Sequence, residues 1–228
     1  MKYPGAELDN FDKATIWRKY IFFQIKNYIK GNVLEVGAGI GSFTNNYKDL
    51  ANSITLSEID HNNLLFIKKK FKKNDFIFTN VLTKNINDQF DTIMYLNVLE
   101  HIKEDSKELN EAFEKLRSNG HLIILVPAHN KLYSKFDEAI GHFRRYDLDF
   151  FKKIKIENSK LVKLHYLDSA GYFLYYLNKI FFKEEVYPSK LKIFIWDKLF
   201  TPITYFLDKI LFFKFGKNIL YIIKKSKT

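Results

Sequence analysis

The sequence predicts an α/β fold, an open and mostly parallel sheet with helices on both faces. Three observations predict it. Short apolar runs of strand length alternate with segments of helical period from Asn32 to Val126. A glycine-rich turn, Gly37-Ala38-Gly39-Ile40-Gly41, joins the first of those runs to a helix. A chain of 228 residues with 46% hydrophobic and 17% aromatic side chains can bury one sizeable core, which excludes a wholly disordered chain and argues against a multi-domain assembly.

Residues 12–29 carry apolar side chains at Ile16, Tyr20, Phe23, Tyr28 and Ile29 with lysines between, a helical period that Gly31 stops. Residues 32–36, Asn-Val-Leu-Glu-Val, read as a buried strand running straight into the glycine turn, with Ser42 opening the next helix. Strand 53–56, helix 61–72, strand 76–79, strand 91–96, helix 103–116 and strand 121–126 continue the alternation. Strands separated by helices imply right-handed parallel crossovers. Pro127 starts a loop that runs to Asp147, the N-cap of a helix over 148–154, followed by strand 161–167. The last strand is 218–223, and a long aromatic insert, 169–216, precedes it. The expected organisation is a single domain with a helical cap (1–30), a core (31–168), a lid (169–216) and a final strand (217–228).

The chain has no cysteine, which removes disulfides, thiolate metal sites and cysteine nucleophiles and fits the reducing cytosol. Its formal charge of +11 points to an anionic partner such as phosphate or a membrane surface, although a compositional bias toward lysine gives the same figure. The first residues carry Glu7, Asp9 and Asp12 and no apolar core, so no export signal is expected. The longest uncharged stretches near the C-terminus fall well short of the roughly 18–20 apolar residues that span a bilayer.

A turn of alternate glycines after a buried strand lets the backbone approach a ligand closely, because no Cβ intervenes. The dinucleotide fingerprint needs its third glycine where this chain has Ser42, which leaves a nicotinamide oxidoreductase as the second reading and a non-catalytic adenosyl- or membrane-binding protein as a third. Glu58, about 20 residues past the turn at the end of the second strand, can accept both hydroxyls of a ribose. The run Val33-Leu34-Glu35-Val36-Gly37-Ala38-Gly39-Ile40-Gly41 resembles motif I of the class I S-adenosylmethionine-dependent methyltransferases. The likeness extends through Asp91 to His101 and covers roughly residues 17–151. It implies a Rossmann-like fold with seven strands, the last of them reversed, and S-adenosylmethionine as cofactor. It also implies cofactor contacts from Glu35, Gly37, Ala38 and Gly39 at the turn, Glu58 and Ile59 at the ribose, Asn80 and Val81 at the adenine, Asn97 after the fourth strand, and Trp17 and Tyr20 from the leading helix. The Asn/Asp-Pro-Pro-aromatic motif of nucleic-acid adenine methyltransferases is absent from the sequence, which argues against a nucleic-acid substrate.

Methyl transfer needs a base when the acceptor is a hydroxyl, and histidine is the side chain best poised for it near neutral pH. Glu100 and His101 follow the fourth strand, and His142 opens Gly-His-Phe-Arg-Arg-Tyr-Asp in the loop after the fifth, so both segments fall at the sheet edge where open α/β folds place ligands. Glu100, His101 and His142 are therefore the expected catalytic set. A resemblance to methyltransferases with an E-x-x-E-H motif implies a divalent metal on the same three residues, with Asn97 in the place of the first acid. Arg144 and Arg145, half of the four arginines, read as anchors for an anionic acceptor, with Tyr146 and His129 beside them. The same stretch resembles methyltransferases associated with polyprenyl-phosphate glycosyltransferases, which implies a small-molecule, sugar or lipid-linked glycan acceptor.

From Ser169 onward, 11 lysines stand against 4 acids, with 16 aromatic residues. Lys190, Asp197 and Asp208, and again Lys198 and Lys209, recur at helical spacing and predict a charged stripe on an otherwise apolar helix surface. Such an insert serves as core, as the face of a homodimer, or as peripheral contact with the anionic inner membrane face.

Overall fold

The computed structural model describes residue 4 and residues 7–72, 76–181 and 186–227. The strands are β1 (Asn32–Val36), β2 (Ser53–Ser57), β3 (Phe76–Thr79), β4 (Phe90–Leu96), β5 (Leu116–Pro127), β6 (Ser159–Leu167) and β7 (Asn218–Lys225). They form one sheet in the order β3-β2-β1-β4-β5-β7-β6. The pairings β1–β2, β1–β4, β2–β3 and β4–β5 are parallel, while β7 runs antiparallel to both its neighbours, β5 and β6. This is the expected Rossmann-like sheet with its last strand reversed.

Strand alternation buries both faces. Leu122, Ile124 and Val126 of β5 pack with Tyr95, Ile219 and Tyr221 against Leu109 and Phe113 of α5 (Asp105–Glu114) and Phe151 of α7 (Leu148–Lys153). On the other face Ile123 and Leu125 join Val33, Leu56 and Leu220 against Ile21 and Ile25 of α2 (Thr15–Ile25) and Leu64 and Ile67 of α4 (His61–Lys70).

The leading helix departs from expectation. Within the expected span 12–29, α2 starts only at Thr15 and passes into a 3-10 turn at Lys26–Tyr28, and a separate short helix, α1 (Leu8–Phe11), precedes it. The cause lies 180 residues away, where the buried carboxylate of Asp197 accepts the backbone N–H groups of Trp17 (2.8 Å) and Ile16 (3.3 Å) and so starts a new helix. The helix expected at Ser42 is only α3 (Thr44–Tyr47), and the loop after β5 holds an unforeseen helix, α6 (Lys135–Ala139), with a capping box between Ser134 and Asp137.

The insert folds as α8 (Ser169–Phe181), α9 (Lys190–Ile195), a π-helical turn (Trp196–Phe200) and α10 (Thr201–Ile210). The stripe read from spacing divides in the structure. Asp197 and Asp208 point inward and are buried, while Leu191, Leu199, Phe206 and Ile210 are exposed. Asp208 accepts hydrogen bonds from the Tyr20 hydroxyl and from the N–H groups of Asp168 and Ser169, each at 2.9 Å, at the start of α8. Asp168 accepts from the Gly171 N–H (2.9 Å), the Thr204 hydroxyl (3.2 Å) and the Trp196 indole (3.3 Å). Buried charge is tolerated here because helix N-terminal amides compensate it.

Removing one such acceptor strands several buried donors. Asp208→Ala is expected to cost about 3 kcal/mol in chemical denaturation, against less than about 0.5 kcal/mol for Asp149→Ala at the exposed start of α7.

Candidate active site

The chain leaves β1 through a turn in which Gly37 and Gly39 hold φ of +65° and +55°, a left-handed conformation that side chains with a Cβ rarely adopt. A Cβ on Gly37 would strike Val98 at 2.7 Å, whereas one on Gly39 would meet nothing nearer than Leu8 at 3.8 Å and would project into open cavity. Glu35 ties β1 to α3 behind the turn. Its carboxylate is buried and accepts the hydroxyls of Thr44 (2.7 Å) and Tyr47 (2.6 Å), and burial raises its pKa to about 6 against the pull of those bonds. Glu58 fixes the turn from the side, accepting the N–H groups of Gly39 and Asp60, each at 2.7 Å, and burial raises its pKa as well. Each Glu58 oxygen has further lone-pair capacity for hydroxyl donors. Asp60 is spent as the N-cap of α4, accepting from Asn62 and Asn63.

Two cavities meet at this turn, sharing Gly37, Gly39, Asn97 and His101 in their walls. The larger, about 710 Å³, lies over Glu58, Ile59, Val81, Leu82 and Val98. The smaller, about 260 Å³, is bounded by Glu35, Ala38, Glu100, His142, Arg145 and Lys217, with Phe11, Trp17, Phe136 and Trp196 as an aromatic wall.

Polar groups converge in the smaller cavity. Glu100 is fully buried in the 3-10 turn after β4, and neither carboxylate oxygen has a hydrogen-bond partner among the described residues. Burial, partly offset by His142, raises its pKa to about 7. His142 Nε2 lies 3.7 Å from Glu100 Oε1, and its Nδ1 donates to Asp137 Oδ1 at 2.8 Å. Burial tends to raise the Asp137 pKa, but hydrogen bonds from His142 and Arg145 outweigh it and bring it to about 2. An ionised carboxylate only accepts, so Nδ1 carries a proton toward Asp137, which turns Nε2 toward Glu100. The His101 ring stands edge-on to His142 with centroids 4.5 Å apart, and burial lowers its pKa to about 4, so it is neutral. Arg145 is buried with Nε on Asp137 (2.9 Å), while its Nη1 is buried without a partner among the described residues.

Residues 14–174 match the family model of a methyltransferase domain. The chain belongs to the class I S-adenosylmethionine-dependent methyltransferases. No curated protein matches its sequence. Among solved structures it is similar in fold to the N-methyltransferase NodS from Bradyrhizobium japonicum in complex with S-adenosylhomocysteine, with a TM-score of 0.61 at 12% identity over 97% of this chain and 91% of that one. It is also similar to the plantazolicin methyltransferase BpumL in complex with S-adenosylhomocysteine, with a TM-score of 0.57 at 13% identity over 96% and 84%. The MccD protein gives 0.56 at 16% identity over 99% and 100%. These likenesses are of fold, and the family sets the oxidoreductase reading aside.

The residues present suit the family's cofactor. The open side of Gly39, the Glu58 carboxylate and the apolar walls at Ile59 and Val81 offer, in turn, a cradle without a Cβ, a hydroxyl acceptor and a slot for a flat ring. Of the residues singled out from sequence, Trp17, Glu35, Gly37, Ala38, Gly39, Asn97, Glu100, His101, His142 and Arg145 line the smaller cavity, and Glu58, Ile59 and Val81 the larger.

Five lie elsewhere. Asn80 is exposed beside the larger cavity's wall. Tyr20 is a core residue whose hydroxyl is tied to Asp208. Tyr146 is buried with its hydroxyl on Asp105 and the Leu99 carbonyl. His129 stacks on Tyr166 and bonds the Gly216 carbonyl. Arg144 is held by Asp105 (2.6 Å) and by the Lys103 carbonyl, which uses the guanidinium as a brace rather than an anion anchor. Sequence reasoning missed Asp137, Trp196 and Lys217. The Ser134-x-x-Asp137 capping signature was the available signal for Asp137, while nothing local marks the other two.

Gly39→Ala is expected to cost about 1 kcal/mol of stability through its positive φ. It should nevertheless weaken S-adenosylhomocysteine binding by at least about tenfold in calorimetric titration, because the added methyl enters the cavity. Undiminished affinity would separate this turn from cofactor binding.

Proposed function

We propose that the chain transfers a methyl group to a hydroxyl of an anionic small-molecule acceptor, of which a sugar or lipid-linked glycan is the class best suited to the cavity. The observation that carries this reading is Glu100: a fully buried carboxylate without a hydrogen-bond partner among the described residues, beside a histidine oriented by an ionised aspartate. Such a group is set to accept a proton from an incoming donor.

Bound S-adenosylmethionine supplies an electrophilic methyl group on a sulfonium, so the protein's task is positioning and proton transfer. Gly37, Gly39 and Asn97 stand where the two cavities meet and would hold the methionine end, with Glu58 at the ribose and Ile59 and Val81 at the adenine. In the smaller cavity the acceptor hydroxyl would donate to Glu100 and release its proton there, with His142 held 3.7 Å away by Asp137. Asp137 thus acts as a positioning residue. The Nη1 of Arg145, unpartnered among the described residues, and the ammonium of Lys217, whose pKa burial lowers, belong to side chains that line the same cavity and suit an acceptor phosphate or carboxylate. The aromatic wall suits an apolar or flat portion of the acceptor.

A second reading has its own support, since Glu100, His101 and His142 offer ligand atoms that all lie within 4.8 Å of one another. On that reading a divalent cation would be held by these three side chains, and Glu100 would be a ligand rather than the base. Dialysis against EDTA separates the two: an unchanged rate supports the base, and loss of activity restored by one added divalent metal supports the cation.

For the base, the sign of the pH effect follows from the raised pKa. Glu100 is protonated below about pH 7 and inactive, so kcat/KM for radiolabelled methyl transfer to a lipid-linked or nucleotide-sugar pool should rise through that value. Glu100→Gln should lower kcat by about 10²-fold or more and flatten the rise, and Arg145→Lys should raise KM with kcat little changed. A Glu100→Gln enzyme with wild-type turnover would remove this mechanism.

A further inference from the structure

The helix that closes the insert turns an apolar side to solvent. Leu191, Ile195, Leu199, Ile203, Phe206 and Ile210 are all exposed, Phe206 by 72%. They recur every three or four residues along α9, the π turn and α10. Over that length an uninterrupted α-helix drifts about a quarter-turn away from a single line. The π turn rotates less per residue and takes up the drift, so the six side chains form one stripe. Asp197 and Asp208 occupy the opposite side, buried.

The charge on this surface has a single sign. Within residues 186–216 the two buried aspartates are the only acids, whereas Lys190, Lys209 and Lys214 are exposed; Lys198 is turned back onto Asp197 at 3.0 Å. Lys190 stands at one end of the stripe and Lys209 and Lys214 at the other, an arrangement that suits phosphate headgroups over acyl chains. No helix among the described residues is long and apolar enough to cross a membrane. The length of the stripe suits a helix lying in the interface rather than through it.

We propose that this face of α9 and α10 docks on the surface of an anionic lipid bilayer. Trp196, from the inward side of the same helix, forms part of the aromatic wall of the smaller cavity, so docking would bring that cavity to the headgroup layer. The proposal rests on the surface and not on the acceptor chemistry.

Co-sedimentation of the full chain with vesicles of phosphatidylcholine alone, and of phosphatidylcholine with phosphatidylglycerol, tests it. Binding is expected to be at least about tenfold stronger to the mixed vesicles and to fall with added salt. Phe206→Ser with Ile210→Ser, and separately Lys209→Gln with Lys214→Gln, should each weaken it by about tenfold, with S-adenosylhomocysteine affinity and unfolding temperature unchanged. Absence of binding to the mixed vesicles, or wild-type binding by both variants, would overturn the proposal. So would a dimer in analytical ultracentrifugation that Phe206→Ser with Ile210→Ser dissolves, since the face would then be covered by a second copy.

Discussion

Three buried carboxylates, Asp168, Asp197 and Asp208, set where the last third of the chain lies, and the site depends on that placement. Each is held by amide or hydroxyl donors rather than by a full cation partner alone: Asp197 at the start of α2, Asp208 at the start of α8, and Asp168 by Gly171, Thr204 and the Trp196 indole. Helix N-terminal amides stabilise ionised groups that would otherwise be costly to bury. Because the acids must face these amides, the apolar side of α9 and α10 must face away. Trp196 is turned inward over the cavity, and Lys217, just before β7, comes to lie under its ring at 4.8 Å.

The cofactor end obeys a different constraint, close backbone approach. Of the left-handed glycines after β1, Gly39 is held by Glu58, while Glu35 ties β1 to α3 behind the turn. At the far end of the cavity Asp137 gathers Ser134, His142 and Arg145 onto one carboxylate. Donors separate the two acids: Asp137 is stabilised as an anion by them, while Glu100, with no hydrogen-bond donor among the described residues, has its pKa raised by burial to about 7. In the proposed mechanism these few contacts divide the cavity into a fixed support and a reactive group.

Much of this was legible in the sequence. The sheet was readable because its strands are short apolar runs punctuated by glycine and polar turns, and the cofactor end because left-handed glycines and a carboxylate at a strand end leave a spacing that chemistry requires. Asp197 and Asp208 were seen to share a stripe, but spacing alone does not say whether a stripe faces water or core. The deciding partners, Trp17 and Ser169, lie far along the chain from Asp197 and Asp208 respectively. Likewise the sequence -His142-Phe-Arg-Arg- marks a functional loop without saying which arginine enters the cavity. Asp105 takes Arg144 and Asp137 takes Arg145, and of the two arginines only Arg145 borders the cavity.

The account turns on two adjoining cavities, a cofactor cradle at the glycine turn and a proton acceptor beyond it. A crystal structure of the full chain with S-adenosylhomocysteine tests this most directly. Ribose hydroxyls on Glu58, adenine between Ile59 and Val81, and the sulfur at the junction of the cavities, opening toward Glu100 and His142, are expected. A ligand whose sulfur faces away from that cluster, or whose ribose leaves Glu58 untouched, would contradict it.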